Sequence, residues 1–145
     1  MAGTALIANA LATGTMVGVV WFVQIVHYPL LARYGAAESP GVSAEHQTRT
    51  GFVVALPMAV EGVTTLVLLA TRPAGVGAAW PWIGAVLLAL ALGSTVVFSV
   101  PAHARMAAGF DPAVGRRLVR TNWPRTVAWT LRLGVCAVMV GQALR

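Results

Sequence analysis

Four long apolar segments constrain the fold of this chain more than any other feature. They lie at about residues 5–32, 51–71, 79–100 and 126–144. Each is long enough to cross the ~30 Å hydrocarbon core of a bilayer as a helix. None shows the alternation of a strand, and an open sheet edge cannot be satisfied in lipid. The sequence therefore predicts an all-α integral membrane four-helix bundle, with residues 1–145 forming a single transmembrane domain.

The scarcity of charge supports lipid as the surrounding solvent. Only 10% of the 145 residues are charged, whereas soluble domains carry about 25%. Small residues inside the segments predict close approach of the helices; the glycines concerned are Gly14, Gly18, Gly62, Gly84, Gly93, Gly134 and Gly141. The Gly14–Gly18 spacing is compatible with a homo-oligomer but does not decide between a monomer and an oligomer.

The arginines predict the orientation in the membrane. Most of them fall in two predicted loops, at 34–50 and 101–125: Arg33 (beside the first loop), Arg49, Arg105, Arg116, Arg117, Arg120 and Arg125. Only Arg72 and Arg145 lie at the other face. The positive-inside rule then places both loops in the cytoplasm and both termini on the non-cytoplasmic side of a bacterial inner membrane. We read the net charge of +6 as this topology signal, and we expect no nucleic-acid partner.

Polar residues interrupt the end of the first segment. Gln24, His27 and Tyr28 precede Pro29, and their spacings of three and four residues place Gln24 on one helix face with the other two. One interpretation is an interfacial cap, because Tyr and His suit the headgroup region. The other is one wall of a polar pocket in the cytoplasmic half of the bundle.

Glu61 is the only acid predicted to lie near the middle of the bilayer. An ionised carboxylate at this depth needs a partner or a water-filled cavity, and it is therefore a candidate functional residue. Arg132 lies at a matching depth in the fourth segment, on a stripe with Asn122, Arg125 and Trp129. The two residues are expected to pair if their helices touch, and such a pair can also be purely structural.

Three histidines are predicted at the same membrane face: His27, His46 and His103. Together with Glu61 they could bind iron, copper or zinc, or two of them could hold a haem. They could equally be structural residues satisfied by hydrogen bonds. The predicted catalytic residues are His27, Glu61, His103 and Arg125. The predicted ligand- or cofactor-binding residues are Gln24, Tyr28, Asn122, Trp129 and Arg132, and the predicted metal ligands are His27, His46, Glu61 and His103.

The stretch TVVFSVPAHARMAAGFDPAVGRRLVRTNWPRTVAWTLR, residues 95–132, resembles the anthrone-oxygenase-like family of small four-helix membrane proteins. The matching positions are Pro101, His103, Asn122, Trp123, Arg125 and Thr126, with a similar helix exit at His27-Tyr28-Pro29-Leu30. The chain differs in carrying His103 where the family usually has asparagine, and in the order of Asn122 and Trp123. The resemblance implies a four-helix bundle with a polar pocket and cofactor-sparing oxygenase chemistry.

Three functions follow from these features. The first is a membrane protein that binds a metal, a haem or a hydrophobic small molecule for redox or oxygenase chemistry. The second is a non-catalytic accessory subunit of a membrane complex. The third is a proton-coupled transporter that uses Glu61.

Overall fold

The computed structural model describes residues 1–31, 33, 38–109 and 111–145, and every regular element in these ranges is helical. Helix α1 covers Ala2–Leu31 and α2 covers Ser39–Ala70. Helix α3 covers Ala79–Ala108, the short α4 covers Pro112–Thr121, and α5 covers Trp123–Ala143. Four stretches of the described chain are long and apolar enough to cross a membrane. The all-helical bundle predicted from the sequence is therefore confirmed.

The bundle buries polar side chains and exposes apolar ones. Glu61, Asn122 and Thr126 are fully buried, and Arg132 is 1% exposed. In contrast, large apolar residues such as Phe52 and Leu56 lie on the outer surface. Burying an unpaired polar group is costly, so the inward polar groups must bond to one another. The outer surface has the composition of a face that contacts hydrocarbon.

The helices form a closed ring that leaves a cavity at one end. Helix α1 packs between α2 and α5, and α5 packs on α3. The last part of α3, Val100–Ala108, returns to contact α2. Helix α4 lies across this end and packs against Tyr28–Leu31 and Val100–Ala108. The end that carries the three histidines is therefore enclosed by all five helices.

The helices extend further than the sequence pattern predicted. The predicted loop 34–50 is helical from Ser39 onward, with Pro40 in the first turn, where its missing N–H costs nothing. An exposed ion pair between Glu45 and Arg49, at 2.5 Å, lies within this extension. The predicted loop 101–125 holds the end of α3, all of α4 and the start of α5. Residues 32, 34–37 and 110 of these predicted segments lie outside the described residues.

Of the glycines predicted to allow close packing, two make such contacts. A Cβ atom on Gly84 would come within 3.2 Å of the Arg132 guanidinium, and one on Gly14 within 3.9 Å of Leu133. At the remaining positions a Cβ atom would meet no atom within 4 Å; these are Gly18, Gly62, Gly93, Gly134 and Gly141. The prediction was wrong for these five, since they do not mediate helix packing within the described chain.

Candidate functional site

Two wide π-helical turns shape the polar end of the bundle. They cover Val23–His27 in α1 and Thr95–Ser99 in α3, and a proline follows two residues after each, at Pro29 and Pro101. Proline removes a helical hydrogen bond and crowds the carbonyl four residues earlier. The wider turn relieves this crowding, so each helix continues past its proline instead of ending there. Such turns are rare in proteins, and those that occur are often found at functional sites.

The side chains that follow these turns meet at the centre of the site. The Tyr28 hydroxyl lies 2.9 Å from His103 Nε2, and Arg125 Nη2 donates to the same hydroxyl oxygen at 3.1 Å. A guanidinium can only donate, so the tyrosine oxygen accepts this bond and its hydrogen is left to donate to His103 Nε2. In that arrangement the Nδ1 atom of His103 carries the ring hydrogen.

Arg125 is held in place by a second set of bonds. Its Nε donates to Asn122 Oδ1 at 2.8 Å, and Asn122 Nδ2 donates to Gln24 Oε1 at 2.7 Å. Gln24 in turn donates to the Val119 carbonyl of α4 at 3.2 Å. Because Asn122 and Gln24 are almost completely buried, this chain of bonds fixes where the guanidinium lies. It also connects α1, α4 and α5.

The three histidines lie side by side. The ring centroids of His27 and His46 are 4.3 Å apart and the rings are stacked, and those of His46 and His103 are 5.0 Å apart. His46 Nδ1 is within 3.0 Å of the Thr50 hydroxyl. Two ring nitrogens, His27 Nε2 and His103 Nδ1, are buried without a hydrogen-bond partner among the described residues. Buried polar atoms normally have partners, so these two nitrogens are available to a ligand.

A cavity of about 260 Å³ opens between these groups; we call it the polar cavity. Its polar lining comes from all four long helices: Tyr28, His46, Gln47, Thr50, Thr95, Ser99, His103, Arg125 and Trp129. Most of the remaining lining is apolar, including Met16, Val20 and Met58. An apolar chamber with a few convergent polar groups is typical of a small-molecule site.

The electrostatic character of the polar cavity is set by Arg125. Arg125 forms no salt bridge with any described carboxylate. The two acids of the chain that do form ion pairs are Glu61 and Glu45, and their partners are other arginines. Isolated charge next to an apolar wall is costly unless it is compensated. The cavity therefore presents one uncompensated cation and favours a ligand with a negatively charged oxygen.

Glu61 belongs to a separate buried group, which we call the Glu61–Arg132 network. The predicted ion pair is present, with Arg132 Nε donating to Glu61 Oε1 at 3.1 Å. Thr13 donates to the same oxygen at 2.6 Å, and Trp129 Nε1 donates to Oε2 at 3.0 Å. Arg132 also donates to the Gly84 carbonyl, to Thr65 and to Asn9. Both carboxylate oxygens are thus occupied, and the network joins α1, α2, α3 and α5.

The sequence prediction treated these two groups as one pocket. The structure brings together Tyr28, His46, His103 and Arg125 at the polar cavity and places Glu61 and Arg132 apart. Asn122 and Gln24 lie behind Arg125 in its chain of hydrogen bonds, and His27 stacks on His46, so these three residues adjoin the cavity without lining it. Trp129 separates the two groups, because it lines the cavity and bonds to Glu61. The prediction missed Asn9, Thr13, Thr65 and Cys136 of the network. The sequence feature that could have identified Asn9, Thr13 and Cys136 is the four-residue spacing of Asn9 to Thr13 and of Arg132 to Cys136, which places each pair on one helix face.

The predicted metal ligand set is not assembled. His46 and Glu61 lie on the one continuous helix α2, fifteen residues apart, which corresponds to about 22 Å along the axis. This separation is a correction of the sequence prediction, which treated residues 34–50 as a loop. No group of three His, Cys, Asp or Glu side chains in the described ranges could hold a metal ion.

No protein-family model, curated protein or solved structure matches the chain. The resemblance to the anthrone-oxygenase-like family therefore stays a prediction that depends on the motif residues alone. The function has to be argued from the geometry of the polar cavity.

Proposed function

We propose that this chain is a multi-pass membrane protein that binds a lipid-soluble molecule through an oxygen that is, or becomes, negatively charged. The oxygen lies at Arg125 and His103, and the apolar body of the molecule fills the polar cavity between Met16, Val20 and Met58. The observation that carries the proposal is the Arg125 guanidinium, which lines the cavity without a carboxylate partner in the described chain. A hydrophobic anion compensates this charge, and its apolar part packs against the apolar lining of the cavity.

The neighbouring groups support proton transfer as the chemistry. The Tyr28 hydroxyl bridges Arg125 and His103, so the Tyr28 oxygen can take a proton from the ligand while its own hydrogen passes to His103 Nε2. The guanidinium then stabilises the enolate or phenolate that remains. A base placed within hydrogen-bond distance of such a donor is the minimal apparatus for general base catalysis.

Oxygenase chemistry is compatible with the same three groups, Tyr28, His103 and Arg125. A carbanion next to an aromatic ketone reacts directly with dioxygen, and the overall change converts a CH₂ group and O₂ into a C=O group and water. The protein has only to remove the first proton and to hold the anion. This reaction corresponds to the cofactor-sparing oxygenases that the motif of residues 95–132 resembles.

A groove on the outer surface offers a route from lipid. It has a volume of about 410 Å³, and it is lined by Gly18, Phe22, His27, Arg49 and Val53 among others. It shares Val19, Val23, His46 and Thr50 with the polar cavity. His46 and Thr50, whose side chains lie within hydrogen-bond distance of each other, line both spaces. We propose that a substrate dissolved in the bilayer enters past His46.

The distribution of the arginines supports one orientation of the chain in the membrane. We propose that the polar cavity faces the cytoplasmic half of a bacterial inner membrane and that both termini lie on the opposite side. The proton-coupled transporter is less favoured, since both oxygens of Glu61 are already bonded within the Glu61–Arg132 network. A carrier of that kind needs a carboxylate that is free to bind and release its proton.

A chromogenic phenol tests the proposed binding. The probe is a 4-nitrophenol with a butyl substituent, whose absorbance distinguishes the phenol from the phenolate, added to protein purified in mild detergent. We expect the bound probe to absorb as phenolate at a pH at which the free probe is mostly phenol. Arg125→Gln should weaken binding of the phenolate by about 10- to 100-fold, the usual value of a charge-assisted hydrogen bond. Arg125→Lys should retain most of it.

The matched control is Arg33→Gln, because Arg33 is exposed and does not line the polar cavity. Thermal unfolding of each variant shows whether the fold is intact. Equal phenolate binding by the Arg125→Gln variant and the unaltered protein would refute the proposal. So would binding of the probe only as the neutral phenol.

A further inference from the structure

Two connected grooves lie on the outer surface between α3, α4 and α5, away from the polar cavity. The first, the arginine groove, is lined by Arg116, Arg117 and Arg120 of α4 together with Phe98 and Pro124. The second, the apolar groove, runs between α3 and α5 and again includes Phe98 and Pro124. Because these two residues line both spaces, the grooves are continuous.

The arginine groove carries a concentrated positive charge. Arg116 and Arg120 are four residues apart on α4, and all three arginines are exposed. None of the three forms a salt bridge with a described carboxylate. Asp111, the nearest acid along the chain, accepts a bond from the Ala113 backbone N–H at 2.8 Å and so caps α4. Like charges on one helix face repel one another, and a bound anion would relieve the repulsion.

The apolar groove has the length of a lipid chain within one leaflet. On α3 it runs from Leu87 to Phe98, eleven residues or about 16 Å along the axis. On α5 it runs from Pro124 to Leu131, about 10 Å. Half of a ~30 Å hydrocarbon core is about 15 Å. The groove therefore begins at the level of the arginines and extends to about the middle of a bilayer.

We propose that these two grooves together bind one anionic phospholipid. Its phosphate lies on the arginine groove, where guanidinium groups form paired hydrogen bonds to phosphate oxygens. One acyl chain lies along the apolar groove, over Gly93, whose missing side chain leaves open space. The site depends on the proposed location in a membrane, but it is independent of the chemistry of the polar cavity.

Native mass spectrometry tests the site. The protein is purified in mild detergent with equal amounts of phosphatidylglycerol and phosphatidylcholine, and the lipids that stay bound are counted. We expect a strong preference for one phosphatidylglycerol. The triple variant R116Q/R117Q/R120Q should reduce that preference more than tenfold, since each basic residue near an anionic lipid surface contributes about fivefold. These side chains are exposed, so the fold should persist.

The matched control removes the same charge elsewhere, in the variant R33Q/R49Q/R145Q, and should leave the preference unchanged. Gly93→Leu fills the apolar groove and should reduce retention of phosphatidylglycerol severalfold. Its control is Gly62→Leu, because a side chain at Gly62 also meets open space but lies outside both grooves.

Equal retention of the two lipids by the unaltered protein would overturn the proposal, and so would unchanged retention in the R116Q/R117Q/R120Q variant. Binding of inorganic phosphate to the arginine groove together with no preference for phosphatidylglycerol would show that the arginines bind free phosphate only, which would also overturn it. Unchanged retention in the Gly93→Leu variant would contradict the acyl-chain part. Recovery of the protein in the aqueous fraction without detergent would refute the membrane location itself.

Discussion

The Glu61–Arg132 network makes a quantitative prediction about stability. Arg132→Leu leaves the buried Glu61 carboxylate with the Thr13 and Trp129 bonds but without a cation. Glu61→Gln removes the negative charge and turns an N–H donor of the new amide toward the donor of Arg132 or of Trp129. Removing one partner of a buried ion pair costs about 3–5 kcal/mol. We therefore expect each single variant to lower the free energy of unfolding by that amount.

The double variant Glu61→Gln/Arg132→Leu isolates the interaction energy between the two charges from their interactions with other residues. Once both charges are gone, no uncompensated ion remains, so the combined loss should be about 1–3 kcal/mol smaller than the sum of the two single losses. Reversible unfolding by dodecyl sulfate in mixed micelles, followed by circular dichroism, measures all four proteins.

The exposed pair of Glu45 and Arg49 is a matched control within the same chain. Its side chains are 59% and 78% exposed, and an exposed helical pair of this kind contributes about 0.3–0.5 kcal/mol. Glu45→Gln and Arg49→Gln should therefore change stability very little. If Glu61→Gln and Arg132→Leu had effects as small as these, or if their effects simply added, the reasoning about the buried network would be wrong.

Three further predictions concern chemistry, backbone and topology. His103→Gln should slow the exchange of the α-hydrogens of 2-tetralone in D₂O by about 10²-fold, the lower end of general base catalysis, as measured by NMR; an unchanged rate would exclude His103 as the base. Gly75→Ala should lower the melting temperature through a loss of about 1–3 kcal/mol, because Gly75 has a φ of 80° and its new Cβ atom would lie 2.9 Å from the Gln142 carbonyl oxygen. Gly93→Ala, which meets no such contact, should be tolerated. A reporter active only outside the cytoplasm should be active when fused to the C-terminus, and an inactive one would reverse the proposed orientation.

The ion pair and the helical architecture could be predicted because each depends on quantities that a sequence contains. The depth of Glu61 and of Arg132 follows from the rise per residue, and hydrocarbon leaves a buried acid few alternatives to pairing. The same reasoning failed for the histidines. The sequence placed His46 in a predicted loop and grouped it with Glu61 as a metal ligand, whereas the continuous helix α2 keeps the two residues far apart.

The end of the third helix was predicted less well, because Pro101 was read as the start of a bend that ends the helix. Pro29 and Pro101 are instead absorbed by π-helical turns, and only contacts with neighbouring helices decide between a stop and a wider turn. The contact that resulted, between Tyr28 and His103, joins residues 75 positions apart in the chain. No local pattern specifies such a contact.

The sequence by itself determined that the chain forms four long helices and that Glu61 and Arg132 lie at matching heights along two of them, because apolar length and the rise per residue fix both. The tertiary structure alone decided that the polar residues divide into two groups. One group is saturated by its own hydrogen bonds and stabilises the bundle. The other surrounds a cavity with the unpaired cation of Arg125, because the packing of four helices, and not their composition, sets which polar groups find partners.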